Sequence, residues 1–265
     1  MQSGAIRPIP NMLPRKLFTS DHEAFRETVR KFYEKEVVPN IEKYEKQQHV
    51  DRDLWNKAGE LGLLCTTMPE QYGGSGVDRL YSMILIEEQA YAMDSSTGFS
   101  LHSDIVANYV NNFGNEEQKQ HWLPKMATGE TVTAIAMTEP GTGSDLQAVR
   151  TTAVLDGDEY VINGSKIFIT NGYLCDMAIV VCKTGNNEKG SANLSLIIVE
   201  ADRAGFSKGK PLNKIGMKGQ DTCELFFDNV RVPKENLLGM QGMGFIMLMK
   251  ELAWERMLVA IICQA

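Results

Sequence analysis

Residues 136–145, AMTEPGTGSD, gather carboxylates, two glycines and three hydroxyl side chains directly after a run rich in Thr and Val. Small backbone and hydroxyls at a strand end present N–H and O–H donors, which a phosphate or the polar edge of a heteroaromatic ring requires. Taken alone the motif is weak, and a decorated Pro-Gly turn is the favoured reading. In KIFITNG, strand alternation points Phe168 and Thr170 to the same face. An aromatic surface beside a hydroxyl suits a stacked ring, although on spacing alone two ordinary sheet residues are favoured. Near the C-terminus, helical projection places Phe245, Leu248, Leu252, Val259 and Cys263 on one stripe, with Glu255 and Arg256 on or beside it. An acid on an apolar face is costly unless paired or used, and burial raises its pKa. That describes a general base; an ion pair between Glu255 and a cation of a helical segment missing beyond the end of this sequence is an equally weighted reading.

Other chemistries lack their signatures. The four histidines (His22, His49, His102, His121) are dispersed and read as surface or packing residues. There is no GxGxxG, Walker sequence, serine elbow or metal box. Five scattered cysteines (Cys65, Cys175, Cys182, Cys223, Cys263) with no CxxC pair indicate neither a disulfide framework nor zinc, so a reducing compartment is expected. A net charge of −7 argues against nucleic acid or an anionic membrane as the main partner. No run reaches the apolar length of a membrane span. The first eighteen residues, with Arg7, Arg15 and Lys16 among three prolines, read as a poor secretory signal and a weak transit peptide.

The elements that must position these residues follow from periodicity. Ser20 and Glu23 stand at capping-box spacing before a face of Phe25, Val29, Phe32 and Val37, which Pro39 ends. A second helix carries Leu54, Trp55, Ala58 and Leu61; a third runs from about Asp78 to Met93. A fourth carries Leu101, Ile105, Val106, Tyr109 and Val110, and Asn115 with Gln118 resembles another cap. After Gly129 the pattern becomes β-branched and short-range, with Asp156-Gly157 and Asn163-Gly164 as turns between strands. The expected fold is α+β: a helical domain over 1–128, a central antiparallel, barrel-like β-domain over 129–238, and over 239–265 the first helix of a C-terminal helical-bundle domain. The chain ends inside that apolar helix, which implies that further helices are cut away or supplied elsewhere.

Together these stretches resemble the acyl-CoA dehydrogenase family. AMTEPGTGSDLQA is similar to its first signature, with Thr142 where a smaller residue is usual. The resemblance continues through INGSKIFITNG and GMKGQDTCELFFDNVRVPKENLLG and back to FRETVRKFYEKEVVP, covering nearly the whole chain. It implies FAD at the junction of three domains, usually in a homotetramer. Ile135, Met137, Thr138, Gly143 and Ser144 match the strand and loop lining flavin and pantetheine, Ser144 thereby also facing substrate. Phe168 matches the aromatic position covering the flavin, and Thr170 the hydroxyl near its N5. The implied reaction is α,β-dehydrogenation of an acyl-CoA to the trans-2-enoyl-CoA, with electrons passed to an electron-transfer flavoprotein. KELAWERMLVA resembles the long-chain and isovaleryl arrangement, which makes Glu255 the base and Arg256 an acyl-CoA contact. An acyl-CoA oxidase, an isovaleryl-type enzyme and a non-catalytic CoA-thioester-binding homologue stay open. Either a bacterial cytoplasm or a mitochondrial matrix fits.

Overall fold

The computed structural model describes residues 15–185 and 193–265. Residues 1–14, on which most of the leader reading rests, lie outside the described residues.

The N-terminal half is helical: α1 (Ser20–Phe32), α2 (Ile41–Gln47), α3 (Arg52–Glu60), α4 (Arg79–Tyr91), α5 (Ala107–Phe113) and α6 (Glu116–Ala127). The first cap differs from the expected one. Thr19, not Ser20, is the N-cap, and the His22 ring rather than Glu23 returns the bond to its backbone N–H, at 3.1 Å. Glu23 is left to pair with Arg26 on the next turn. Nor does Pro39 end the helical path, because a π-helical turn, Tyr33–Val37, and a 3-10 turn, Val38–Asn40, carry it into α2. Leu61 falls beyond the end of α3 and is exposed, so the stripe there is Leu54, Trp55 and Ala58. The cap at Asn115 and Gln118 forms as read, and Asp78 caps α4. Helices α1 and α4 are held by ion pairs that spacing did not reveal: buried Arg26 meets buried Glu87 at 2.8 Å, and half-buried Arg30 meets buried Glu88 at 2.9 Å.

The second half is a sheet of eight strands: β1 (Thr133–Ala136), β2 (Thr152–Asp156), β3 (Glu159–Thr170), β4 (Met177–Lys183), β5 (Leu194–Glu200), β6 (Phe206–Lys208), β7 (Thr222–Pro233) and β8 (Leu237–Leu238). The order is β6-β7-β3-β2-β4-β5-β8, with β1 beside β4. Two expectations are corrected. The sheet is mixed, because β1 runs parallel to β4 and β2 joins β4 in parallel at Thr152. It is also open, because its end strands β6 and β8 are not bonded to each other. Its barrel-like character survives as curl: Ala134, Val180 and Ile197 of one half share a core with Ile162, Leu225 and Val232 of the other. The Asn163-Gly164 pair is likewise not a hairpin turn but a bulge inside the long strand β3. Gly164 sits there at φ 150°, where a Cβ would strike Thr151.

β1 and β4 are buried on both faces. On one side Ile135, Ile179 and Val181 pack against Tyr109 and Val110 of α5 and against Met247 and Leu248 of α7 (Gly244–Gln264). The helical and sheet layers are thus cemented by one apolar cluster, reinforced by polar ties. Asn171 is wholly buried and donates to the carbonyls of Gly98 (3.0 Å) and Thr133 (3.2 Å), while its side-chain oxygen accepts from Gln220. Only a glycine fits opposite it, since a Cβ on Gly98 would lie 1.8 Å from the Asn171 oxygen. His102, also buried, accepts from the Thr133 N–H at Nδ1 and donates from Nε2 to the Met126 carbonyl at 3.0 Å. Burial lowers its pKa to about 4, so it is a neutral packing residue, as its isolation in sequence suggested.

The AMTEPGTGSD loop is fastened from below by Lys166, a lysine with no exposed surface. Its ammonium meets Glu139 at 2.9 Å and donates to the carbonyls of Val181 (2.7 Å) and Met137 (3.1 Å). The other acceptor capacity of Glu139 is filled by the backbone N–H groups of Arg150 (2.6 Å) and Thr151 (2.9 Å). Desolvation pushes the Lys166 pKa down and opposes the neighbouring carboxylate, while the cation and the N–H donors hold Glu139 below the usual carboxylate range.

Two substitutions test these ties. Lys166→Met should lower unfolding stability by about 3 kcal/mol, because a buried pair loses one partner. Urea titration with an unchanged slope measures it, and a loss under about 1 kcal/mol would remove the loop-anchoring role. Asn171→Ala should cost about 2 kcal/mol by removing a donor to the buried Gly98 and Thr133 carbonyls and the acceptor of the Gln220 amide, read from the same midpoint.

Candidate active site

The loop after β1 turns sharply. Glu139 and Thr142 exchange both main-chain bonds, at 2.9 and 3.0 Å, across Pro140-Gly141. The turn reading of this stretch is therefore correct for its first half. Thr142 is buried and its hydroxyl has no partner among the described residues. Beyond it Gly143 and Ser144 are exposed, and open space lies where a Cβ on Gly141 or Gly143 would project. The carboxylate of Glu139 points inward to Lys166 and is not available to a ligand. Asp145 accepts from the Gln147 N–H at 3.1 Å.

Phe168 lies beside this loop, since the N–H of Ile167 donates to the Thr138 carbonyl at 2.9 Å. Its position differs from simple alternation. The pairing of β3 with β7 slips between Lys166 and Ile169, and Phe168 occupies that bulge at φ 61°. A non-glycine residue at positive φ stores strain and marks sites where a side chain is deliberately aimed. The ring is 63% exposed, an unusual state for a phenylalanine in the middle of a sheet. Thr170, which follows the buried Ile169, is half-buried. Thr138 and Met137 are half-buried, whereas Ile135 belongs to the apolar cluster and supports the surface from behind.

On α7 the inward face is Gly244, Met247, Leu248, Glu251 and Leu258. The projected stripe was right at Leu248 and wrong further on: Val259 and Cys263 are exposed, because the buried face runs through Gly244, Leu248, Glu251 and Leu258, offset round the helix from the projected one. Glu255 is half-buried and accepts a hydrogen bond from the Tyr109 hydroxyl at 2.8 Å. One turn earlier Glu251, which is buried, accepts from Asn112 at 2.9 Å. Burial is the main cause that raises the Glu255 pKa; the Tyr109 hydroxyl opposes it and the Glu251 charge adds to it. No cation pairs with Glu255 among the described residues. Arg256 is exposed.

Sequence reasoning missed Tyr109, Glu251, Asn112 and Lys166. The four-residue spacing of Glu251 and Glu255 was visible and placed both acids on one face. Tyr109 and Lys166 gave no local signal, since their partners are 146 and 27 residues away.

Comparison with known proteins agrees with this geometry. The family described as "Acyl-CoA dehydrogenase, N-terminal domain" matches residues 19–130, and "Acyl-CoA dehydrogenase, middle domain" matches 134–230. The chain is 49% identical over 261 residues to "Long-chain specific acyl-CoA dehydrogenase, mitochondrial" of Sus scrofa, covering 98% of this chain and 61% of that protein. It thus spans about three fifths of the length of such curated relatives. The crystal structure of an acyl-CoA dehydrogenase from Geobacillus kaustophilus superposes with a TM-score of 0.92 at 48% identity, over 95% of this chain and 66% of that one. An acyl-CoA dehydrogenase from Bacillus anthracis, solved in complex with FAD, superposes with a TM-score of 0.85 at 37% identity, over 94% of this chain and 43% of that one. With both domain families matched in order and a fold shared at this identity, the chain belongs to the acyl-CoA dehydrogenase family.

Proposed function

We propose that the protein catalyses FAD-dependent α,β-dehydrogenation of medium- to long-chain acyl-CoA thioesters in fatty-acid β-oxidation. The observation that carries this reading is the state of Glu255: a half-buried carboxylate, raised in pKa and paired with no cation among the described residues, on the helix that packs against the same cluster as β1. The acyl-CoA dehydrogenase relatives supply the substrate class, and their names supply the long-chain preference.

The residues present fit a flavin. An exposed aromatic residue is held out by a bulge, half-buried Thr138 and Thr170 lie close to it along the chain and the neighbouring loop, and open space lies over Gly141 and Gly143. Phe168, Thr138, Thr170, Gly143 and Ser144 would hold it, with Met137 and Ile135 behind. FAD, when bound, accepts the β-hydrogen with its electron pair. The chain's own part is the proton: Glu255 breaks the α C–H bond and keeps the proton on its carboxylate while the new C=C bond forms. Its partial burial makes that proton uptake easier than it would be for an exposed glutamate. Arg256, exposed beside it, would meet the acyl-CoA. Electrons would leave through an electron-transfer flavoprotein, and a homotetramer in a bacterial cytoplasm or a mitochondrial matrix completes the reading.

The test is anaerobic bleaching of the FAD-loaded protein by acyl-CoAs of graded length. Glu255→Gln should slow bleaching about 10²–10⁴-fold while the yellow colour is retained; full-rate bleaching would move the base elsewhere. The rate should also fall as pH drops and Glu255 becomes protonated. Because its pKa is raised, that loss should set in above the range of an ordinary glutamate near ~4.3.

A further inference from the structure

Glu255 does not act alone on its helix face. Two rungs cross from α5 to α7: the Tyr109 hydroxyl donates to Glu255 at 2.8 Å, and Asn112 donates to Glu251 at 2.9 Å. Tyr109 is wholly buried, and burial beside two acids raises its own pKa far above the ordinary tyrosine value, so it remains a donor. Its hydroxyl is the sole side chain hydrogen-bonded to Glu255 among the described residues.

Other charged groups pack around the pair. Arg79 of α4 stacks on Trp254 at 4.2 Å. Asp104, on the π-helical turn Leu101–Val106 that leads into α5, receives the Ser82 hydroxyl and feels the Arg79 charge. β5 meets the start of α7 through the main chain of Leu194. On α7 itself Lys250 and Arg256 are exposed, leaving Glu251 as the neighbouring charge that acts on Glu255.

We infer that Tyr109 is a positioning residue for the α-proton transfer, fixing the Glu255 carboxylate in its ionised form while the Glu251 carboxylate pushes it the other way. The inference rests on the reading of Glu255 as the base. A carboxylate that accepts a phenol's proton is held in one orientation and favoured as the anion; a like charge one turn away favours the protonated form. The two neighbours set the base between the extremes that burial alone and solvation alone would give. Tyr109 also lies in the apolar cluster with Ile135. The hydroxyl therefore fixes Glu255 relative to the sheet as well as to its own helix.

Two substitutions with opposite expected signs test this in the FAD-loaded protein. Tyr109→Phe keeps the ring and removes the donor, so the acid limb of the bleaching-rate profile should move up by about one pH unit. The infrared carboxyl band that disappears in Glu255→Gln should titrate with the same shift in the absence of substrate. Glu251→Gln should move both downward. If wild type bleaches and Glu255→Gln abolishes it, yet both limbs stay in place, the positioning role is wrong and the base assignment stands. If wild type is not bleached by any acyl-CoA, the proposed function fails first. A loss of rate in Tyr109→Phe at every pH, with no shift of limb or infrared titration, would mean packing alone and also overturn the inference.

Discussion

The ammonium of Lys166 is the constraint on which the centre of the molecule depends. A lysine without exposed surface must find acceptors or lose its charge, and here it finds them on three separate segments: β1 at Met137, the loop at Glu139 and β4 at Val181. A single cation thus joins the parallel strand pair to the turn that follows it. The turn in turn fixes where Gly143 and Ser144 emerge. Two residues further along the same strand the pairing with β7 slips and Phe168 is turned outward. The buried charge and the bulge are adjacent parts of one strand, and together they separate an inward structural half of the loop from an outward, exposed half.

The proposed base depends on a different kind of contact. Helix α7 is held chiefly by apolar packing of Met247 and Leu248 on the cluster of α5 and the sheet. Its two acids are then drawn to α5 by hydrogen bonds from neutral side chains. Neutral donors suit a group that must change its charge. A cation beside Glu255 would hold the carboxylate ionised too strongly to keep a proton, whereas a phenol stabilises the anion moderately and leaves proton transfer reversible.

Much of this was legible from spacing, and the failures share a cause. The helix start near Asp78 and the cap at Asn115 are set by residues within a few positions of one another, and those were read correctly. Asn163-Gly164 was misread because the same dipeptide serves a hairpin or a bulge, and only the partner strand β7 decides which. The barrel was expected from a run of short strands, but closure is a property of the two end strands, which share no sequence signal. Glu255 was picked out by an acid on an apolar face; Tyr109, 146 residues distant in pairing, was not. Glu139 was visible as an acid in the loop, but its inward role was not, because nothing local distinguishes an acid that faces out from one that meets a buried lysine.

Phe168 stands apart from the core it rises from. Its backbone is held by the bulge and its ring makes little use of the sheet's packing, so fold and ring identity are decoupled at this one position. A larger or more electron-rich aromatic could replace it without demanding room inside the protein. Evolution is thereby free to retune the surface offered to a planar ligand, one ring at a time, while the scaffold beneath is left untouched.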